Sequence, residues 1–118
     1  MSTLATGKDT TCYRGRFAPS PTGHLHAGSL VAALASFLDA RHSSGEWQLR
    51  VDDIDPPRAV AGSVEAITDS LSVHGLFWDG PLVFQSASEI RYERALKRLA
   101  STGWLFRCLC TRTTLSER

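Results

Sequence analysis

Alternation of apolar and polar residues predicts the strands of this chain. The segment 47–51 (WQLRV) alternates with the period of a half-buried strand. The segment 13–17 (YRGRF) alternates in the same way but is interrupted by Gly15. The apolar segment 104–110 (WLFRCLC) predicts a further strand near the end of the chain.

Apolar residues at helical spacing predict helices over 29–43, 61–74 and 87–101. The stripe of the first helix consists of Leu30, Leu34, Phe37, Leu38 and Arg41, and that of the second of Val60, Val64, Ile67, Leu71 and His74. Ser86 and Glu89 have the spacing of a capping box for the third helix. The order of these elements predicts an α/β fold with a parallel sheet, whose ligands bind beyond the carboxyl ends of the strands.

Length and composition limit the classes of protein to which this chain can belong. The 118 residues are enough for one domain, and 42% hydrophobic with 21% charged residues is an ordinary globular composition. Residues 1–11 lack apolar periodicity, so we expect a disordered leader before a folded segment 12–118. With three cysteines, no signal peptide and no apolar run of about 20 residues, we expect a cytoplasmic protein without a membrane segment. We also expect a monomer.

The loop 18–28 joins the first strand to the first helix and contains two prolines and two glycines. A helix that opens at Gly28 offers free N–H groups to an anion, so the loop is either a phosphate site or an ordinary connection. His24 and His26 could donate to phosphate oxygens, bind a metal, or lie in a solvated turn. The Gly-rich fingerprints of Rossmann and P-loop proteins are both absent from the sequence.

Carboxylates follow the strand 47–51 directly. Asp52, Asp53 and Asp55 could receive a ligand's ammonium group, hold a metal, or cap the next turn. Arg16, at the end of the first strand, could bind a carboxylate with its planar fork or be a surface residue.

Two cysteines lie near the end of the chain. Cys108 and Cys110 supply two of the four ligands of a tetrahedral zinc site, and no Cys or His follows them. The surrounding segment 91–118 has seven basic and two acidic residues, a local charge of +5 that could face a polyanion or a solvated helix surface.

Two longer motifs resemble those of a known family. RFAPSPTG over 16–23, followed by LHAG over 25–28, resembles the variant HIGH signature of class I aminoacyl-tRNA synthetases of the glutamyl type. LRVDDID over 49–55 resembles the family's LRIEDxD segment. The resemblance covers about residues 13–112 and implies a Rossmann-like nucleotide-binding domain with a parallel sheet.

The resemblance also implies a reaction. Glutamate attacks the α-phosphate of ATP, which is bound with Mg²⁺, and the glutamyl group of the adenylate then passes to tRNA. PPR at 56–58 and CLCTR at 108–112 match best the branch whose acceptor is queuosine in the anticodon of tRNA(Asp). The implied partners are therefore glutamate, ATP and tRNA(Asp) containing queuosine.

Site residues follow from the matched positions. The catalytic residues would be His26 and Gly28. The resemblance implies that glutamate is bound by Arg16, Phe17, Ala18, Pro19, Ser20 and Asp52. It implies that ATP is bound by Pro19, His24, His26, Gly28 and Ser29. Structural Zn²⁺ would be bound by Cys108 and Cys110, together with ligands beyond the chain.

This chain departs from the family pattern in three ways. Asp52 stands where the family usually has Glu, and neither the rest of the zinc motif nor the KMSKS-type loop is present. We therefore expect a truncated, inactive N-terminal part of the catalytic domain that ends inside a zinc-binding insertion. The alternatives are a fragment of a conventional glutamyl-tRNA synthetase and a non-enzymatic module that binds metal or RNA.

Overall fold

The computed structural model describes residues 12–116, so the predicted leader 1–11 lies outside the described residues. The chain divides into two compact units, residues 1–86 and 87–118. The predicted extent of the catalytic-domain segment, residues 12–118, stays a prediction. None of the helices in the described part is long and apolar enough to cross a membrane.

The first unit contains a parallel sheet with two crossover helices. Its elements are β1 (Arg14–Phe17), α1 (Ala27–His42), β2 (Glu46–Val51), α2 (Ser63–Val73) and β3 (Val83–Phe84). The three strands lie in the order β1-β2-β3 and all pair in parallel. This confirms the predicted α/β class with a parallel sheet and the strands at 13–17 and 47–51.

The core lies between one face of the sheet and the helices. The alternation predicted for β2 is confirmed, because Trp47, Leu49 and Val51 are fully buried. From α2, Ile67 and Leu71 join this core at the predicted helical spacing.

Gly15 lies where β1 and α1 pack closely together. A Cβ atom at Gly15 would lie 3.1 Å from the Cβ of Ala40 and 3.3 Å from the Cδ1 of Trp47. A side chain at this position would therefore require α1 or Trp47 to shift by a few tenths of an ångström.

The helix predicted over 29–43 is confirmed as α1, but only part of its predicted stripe meets the core: the ring of Phe37 packs on Trp47 with a centroid distance of 5.2 Å. Leu34 and Leu38 are 46% and 56% exposed, whereas Ala33 and Ala40 are fully buried. Small side chains face the sheet because the backbones of α1 and β1 lie so close at Gly15. Leu34 and Leu38 consequently point outward.

The second unit contains α3 (Glu89–Ser101) and α4 (Arg112–Ser116), and neither helix has a buried residue. The strand predicted over 104–110 is wrong, since this segment has no regular structure. The predicted capping box is also wrong: Ser88 precedes α3 without a side-chain cap, and the Ser86 side chain bonds elsewhere.

Candidate active site

The carboxyl edge of the sheet brings together two of the predicted motifs. The backbone N–H of Asp52 donates to the carbonyl of Pro19 at 2.9 Å, and that of Val60 donates to the carbonyl of Pro21 at 2.9 Å. Pro21 is buried, and Leu25 packs against the core. The loop 18–28 is thus fixed beside the end of β2, as the order of strands and helices predicts.

The predicted glutamate-binding residues at the end of β1 and in this loop differ in accessibility. Arg16 and Ser20 are exposed, while Ala18 and Pro19 are half-buried. The ring of Phe17 stacks on Trp47 with a centroid distance of 6.4 Å. The side chain of Phe17 therefore packs on the core, which leaves its backbone to line the loop.

Arg50 donates two hydrogen bonds to the carboxylate of Asp52. The Arg50 Nε donates to Oδ1 at 2.6 Å and Nη2 donates to Oδ2 at 3.0 Å. Both side chains are mostly shielded from solvent, being 20% and 25% exposed. A carboxylate has about four lone-pair positions, so this pair leaves Asp52 able to accept from a ligand.

Asp53 ties the ends of β2 and β3 together. The Ser86 backbone N–H donates to Asp53 Oδ1 at 2.8 Å, and the Ser86 hydroxyl donates to Oδ2 at 2.6 Å. Desolvation raises the pKa of Asp53, but the hydrogen bonds from Ser86 and neighbouring backbone outweigh it and hold that pKa below its ordinary value. The two adjacent aspartates thus have different partners.

His26 caps α1. Its Nδ1 accepts from the backbone N–H of Ser29 at 3.2 Å, and its Nε2 lies 3.1 Å from the Ser29 hydroxyl oxygen. A Cβ at Gly28 would lie 3.0 Å from the Cε1 of His26, so glycine leaves room for the ring. In neutral His26 the proton is on Nε2, because Nδ1 acts as an acceptor.

His24 lies apart from this cap. It lines a cavity of about 70 Å³ together with Gly23 and the residues 60–63 that precede and begin α2. Gly23 has φ +128°, a backbone conformation that favours glycine.

Cys108 and Cys110 are exposed and free. Within residues 12–116 no group of three or more His, Cys, Asp or Glu side chains is arranged to hold a metal ion. The zinc ligands therefore stay a prediction.

Comparison with known proteins identifies the family. Residues 13–118 match the family model of the class I tRNA synthetases (E and Q), catalytic domain. The chain belongs to this family.

Relatives within this synthetase family are close in sequence. The chain is 55% identical over 104 residues to the Glutamyl-Q tRNA(Asp) synthetase of Xanthomonas campestris pv. campestris strain 8004, covering 88% of this chain and 35% of that protein. It is 50% identical over 105 residues to the protein of that name in Dechloromonas aromatica, covering 89% and 35%. The chain thus spans about a third of the length of these curated relatives.

A solved synthetase shares the fold. A glutamate tRNA ligase from Elizabethkingia meningosepticum, crystallised in complex with its amino acid, superposes with a TM-score of 0.75 at 36% identity, covering 88% of this chain and 22% of that chain. The Rossmann-like class I synthetase domain predicted from the motifs is confirmed.

Two residues of the site were not singled out from the sequence. Arg50 lies two positions before Asp52, and alternation along a strand is the signal that could have indicated their common side. The spacing of Ser86 and Glu89 predicted a helix cap, and β3, with two residues, is too short to give a periodic pattern that would indicate a strand end there.

Proposed function

We propose that the full-length gene product activates glutamate with ATP and transfers it to queuosine in the anticodon of tRNA(Asp). The observation that carries this proposal is the hydrogen bond from the Asp52 N–H to the Pro19 carbonyl, which brings a carboxylate to the loop that follows Arg16 at the end of β1. The 50–55% identity to proteins named Glutamyl-Q tRNA(Asp) synthetase supports the choice of acceptor.

Glutamate binding is the first step of the proposed reaction. Arg16 is exposed at the end of β1 and its fork matches a substrate carboxylate, while the backbone of Ala18, Pro19 and Ser20 lines the pocket. Asp52 receives the α-ammonium group on the lone pairs that Arg50 leaves open.

Adenylate formation follows. The α-carboxylate of glutamate attacks the α-phosphorus of ATP, and the bond to pyrophosphate breaks. His26 donates from Nε2 to a phosphate oxygen in exchange for its contact with Ser29, and the N-terminus of α1 adds its partial positive charge. Pro19, His24 and Gly28 complete the proposed ATP-binding set, and Mg²⁺ enters with the nucleotide.

Transfer to RNA needs no new chemistry. A hydroxyl of the cyclopentenediol attacks the carbonyl carbon of the adenylate, AMP leaves, and an ester forms. No step is assigned to zinc: Cys108 and Cys110 provide two sulfur ligands, and the described residues add no third. These 118 residues alone are proposed to be inactive, since the KMSKS-type loop of the family is not among them.

The acceptor distinguishes this proposal from a conventional glutamyl-tRNA synthetase, the alternative favoured by the similarity of this chain to a solved glutamate tRNA ligase. Labelled glutamate is offered with tRNA(Asp) carrying queuosine, tRNA(Asp) carrying guanine, and tRNA(Glu). We expect label on the first alone, because the site must contact groups that guanine lacks. Label on the terminal adenosine of tRNA(Glu) would support the conventional enzyme instead.

The role of Asp52 is tested by paired substitutions. In the full-length product, Asp52→Asn should reduce glutamate-dependent pyrophosphate exchange by about 100-fold or more, because an ammonium group loses its opposite charge. Asp53→Asn keeps an oxygen acceptor for Ser86 and should have a much smaller effect. Equal rates for the two variants would remove Asp52 from amine binding.

A further inference from the structure

The polar face of the sheet carries two arginines toward its carboxyl edge. Trp47, Leu49 and Val51 are buried on one face of β2, so Arg50 lies on the other. Arg16 pairs in register with Gln48, which places Arg16 on this same face. Two cations and the carboxylate of Asp52 therefore share one edge of the sheet.

The pair of Arg50 and Asp52 is the most shielded of the described ion pairs. Its side chains are 20% and 25% exposed, whereas Arg14 and Glu46 are 67% and 46% exposed. The Arg50–Asp52 pair also has two short bonds, while Arg14 and Glu46 approach to 3.2 Å through one nitrogen. Two parallel bonds fix the plane of a carboxylate, and one bond does not.

The charges of this edge complement glutamate. Arg16, Arg50 and Asp52 together carry one net positive charge. Glutamate has two carboxylates and one ammonium group, and so carries one net negative charge. An aspartate has a shorter reach than glutamate at this position, so the direction of its carboxylate determines whether an ammonium group meets a lone pair.

We propose that Arg50 is a positioning residue for glutamate recognition: it holds the carboxylate plane of Asp52 so that the open lone pairs face the α-ammonium group. Arg50 acts through Asp52 and not on the substrate itself. The inference rests on the proposed function, since it deepens the role assigned there to Asp52.

The experiment measures KM for glutamate, KM for ATP and kcat by pyrophosphate exchange in the full-length product. Arg50→Gln should raise KM for glutamate roughly tenfold and leave KM for ATP unchanged, because the carboxylate that it releases binds the amine and not the nucleotide. Arg50→Lys keeps the charge but cannot form the two parallel hydrogen bonds, so it should reverse only part of the rise in KM for glutamate. Arg14→Gln on the same face is the matched control and should change neither constant.

A double substitution tests whether Arg50 acts through Asp52. Once Asp52→Asn has removed the carboxylate charge, adding Arg50→Gln should have little further effect on KM for glutamate. Additive losses would overturn the proposal, because they would show that Arg50 acts on its own.

Glutarate, which has both carboxylates but no amine, provides the second readout. Its inhibition constant should be the same in the parent and in Arg50→Gln. If Arg50→Gln weakens the binding of glutarate and of glutamate equally, the proposal is overturned. It is also overturned if Arg50→Gln lowers the melting temperature and kcat but does not change KM for glutamate. If the unsubstituted protein shows no glutamate-dependent exchange, the proposed function fails; if it is active and Arg50→Gln behaves like it, only this inference fails.

Discussion

An arginine–aspartate pair lies at each end of β2, but the two pairs have different hydrogen-bond partners. At the amino end, Arg41 donates to Asp79 at 2.6 Å, and the backbone N–H of Trp47 donates to Asp79 Oδ2 at 2.7 Å. Arg41 also donates to the carbonyl of Phe77 at 3.0 Å. At the carboxyl end, both hydrogen bonds described for the Asp52 carboxylate come from Arg50.

This difference separates a pair that holds the fold together from a pair whose carboxylate can still accept hydrogen bonds from a ligand. Asp79 joins the end of α1, the start of β2 and the turn before β3, and its own N–H donates to the carbonyl of Trp47 at 2.8 Å. The hydrogen bonds from Arg41 and from the Trp47 backbone lower the pKa of Asp79. The same two residue types therefore secure the fold at one end and present acceptor positions at the other.

The largest expected effect on stability comes from breaking the amino end. Asp79→Ala removes a charged partner of Arg41 and leaves the Trp47 N–H without its acceptor. Because the Asp79 side chain is 40% exposed, we expect a loss of about 2 kcal/mol, toward the low end for charged hydrogen bonds. Urea unfolding of the full-length product measures it.

The control for this variant is Asp55→Ala, which breaks an exposed pair with Arg58 whose side chains are 43% and 71% exposed. The control should cost less than about 1 kcal/mol. If Asp79→Ala and Asp55→Ala cost the same, the pair at the amino end is not a structural junction.

The pH dependence of Asp79 provides a second test. Its folded pKa is lowered below the unfolded value of about 3.9, so its stabilisation is present above that pH and is lost as the pH falls through the folded pKa. The stability difference between the parent and Asp79→Asn should therefore be largest near neutral pH and shrink below about pH 4. A difference that is constant from pH 7 to 3 would show that ionisation of Asp79 does not contribute.

Sequence periodicity predicted β1, β2 and α2 because each has an alternating or helical stripe that the core uses directly. It also predicted the helix α1, but it missed that Ala33 and Ala40 face the sheet while Leu34 and Leu38 are exposed. It failed for β3 because pairing with Arg50 and Val51 defines this two-residue strand, and that pairing is not encoded locally.

The candidate site shows a similar division between local and distant information. Motifs located the loop 18–28 and Asp52, and the structure joins them through the Pro19 carbonyl. The partner of Asp53 lies 33 positions away at Ser86, beyond the reach of any short pattern. Arg50 was within reach, because a spacing of two along a strand places it beside Asp52.

The smallest expected effect concerns Ser86, whose bond to Asp53 replaces the cap predicted for α3. Ser86→Ala removes the hydroxyl bond at 2.6 Å but keeps the backbone bond at 2.8 Å, so the cost should be about 1 kcal/mol. A double-mutant cycle of Ser86→Ala with Asp53→Ala should give a coupling of roughly 0.5–1 kcal/mol, while a cycle with Glu89→Ala should give none. Coupling to Glu89 in place of Asp53 would restore the capping box, and it would mean that the ends of β2 and β3 are held together by their short pairing alone.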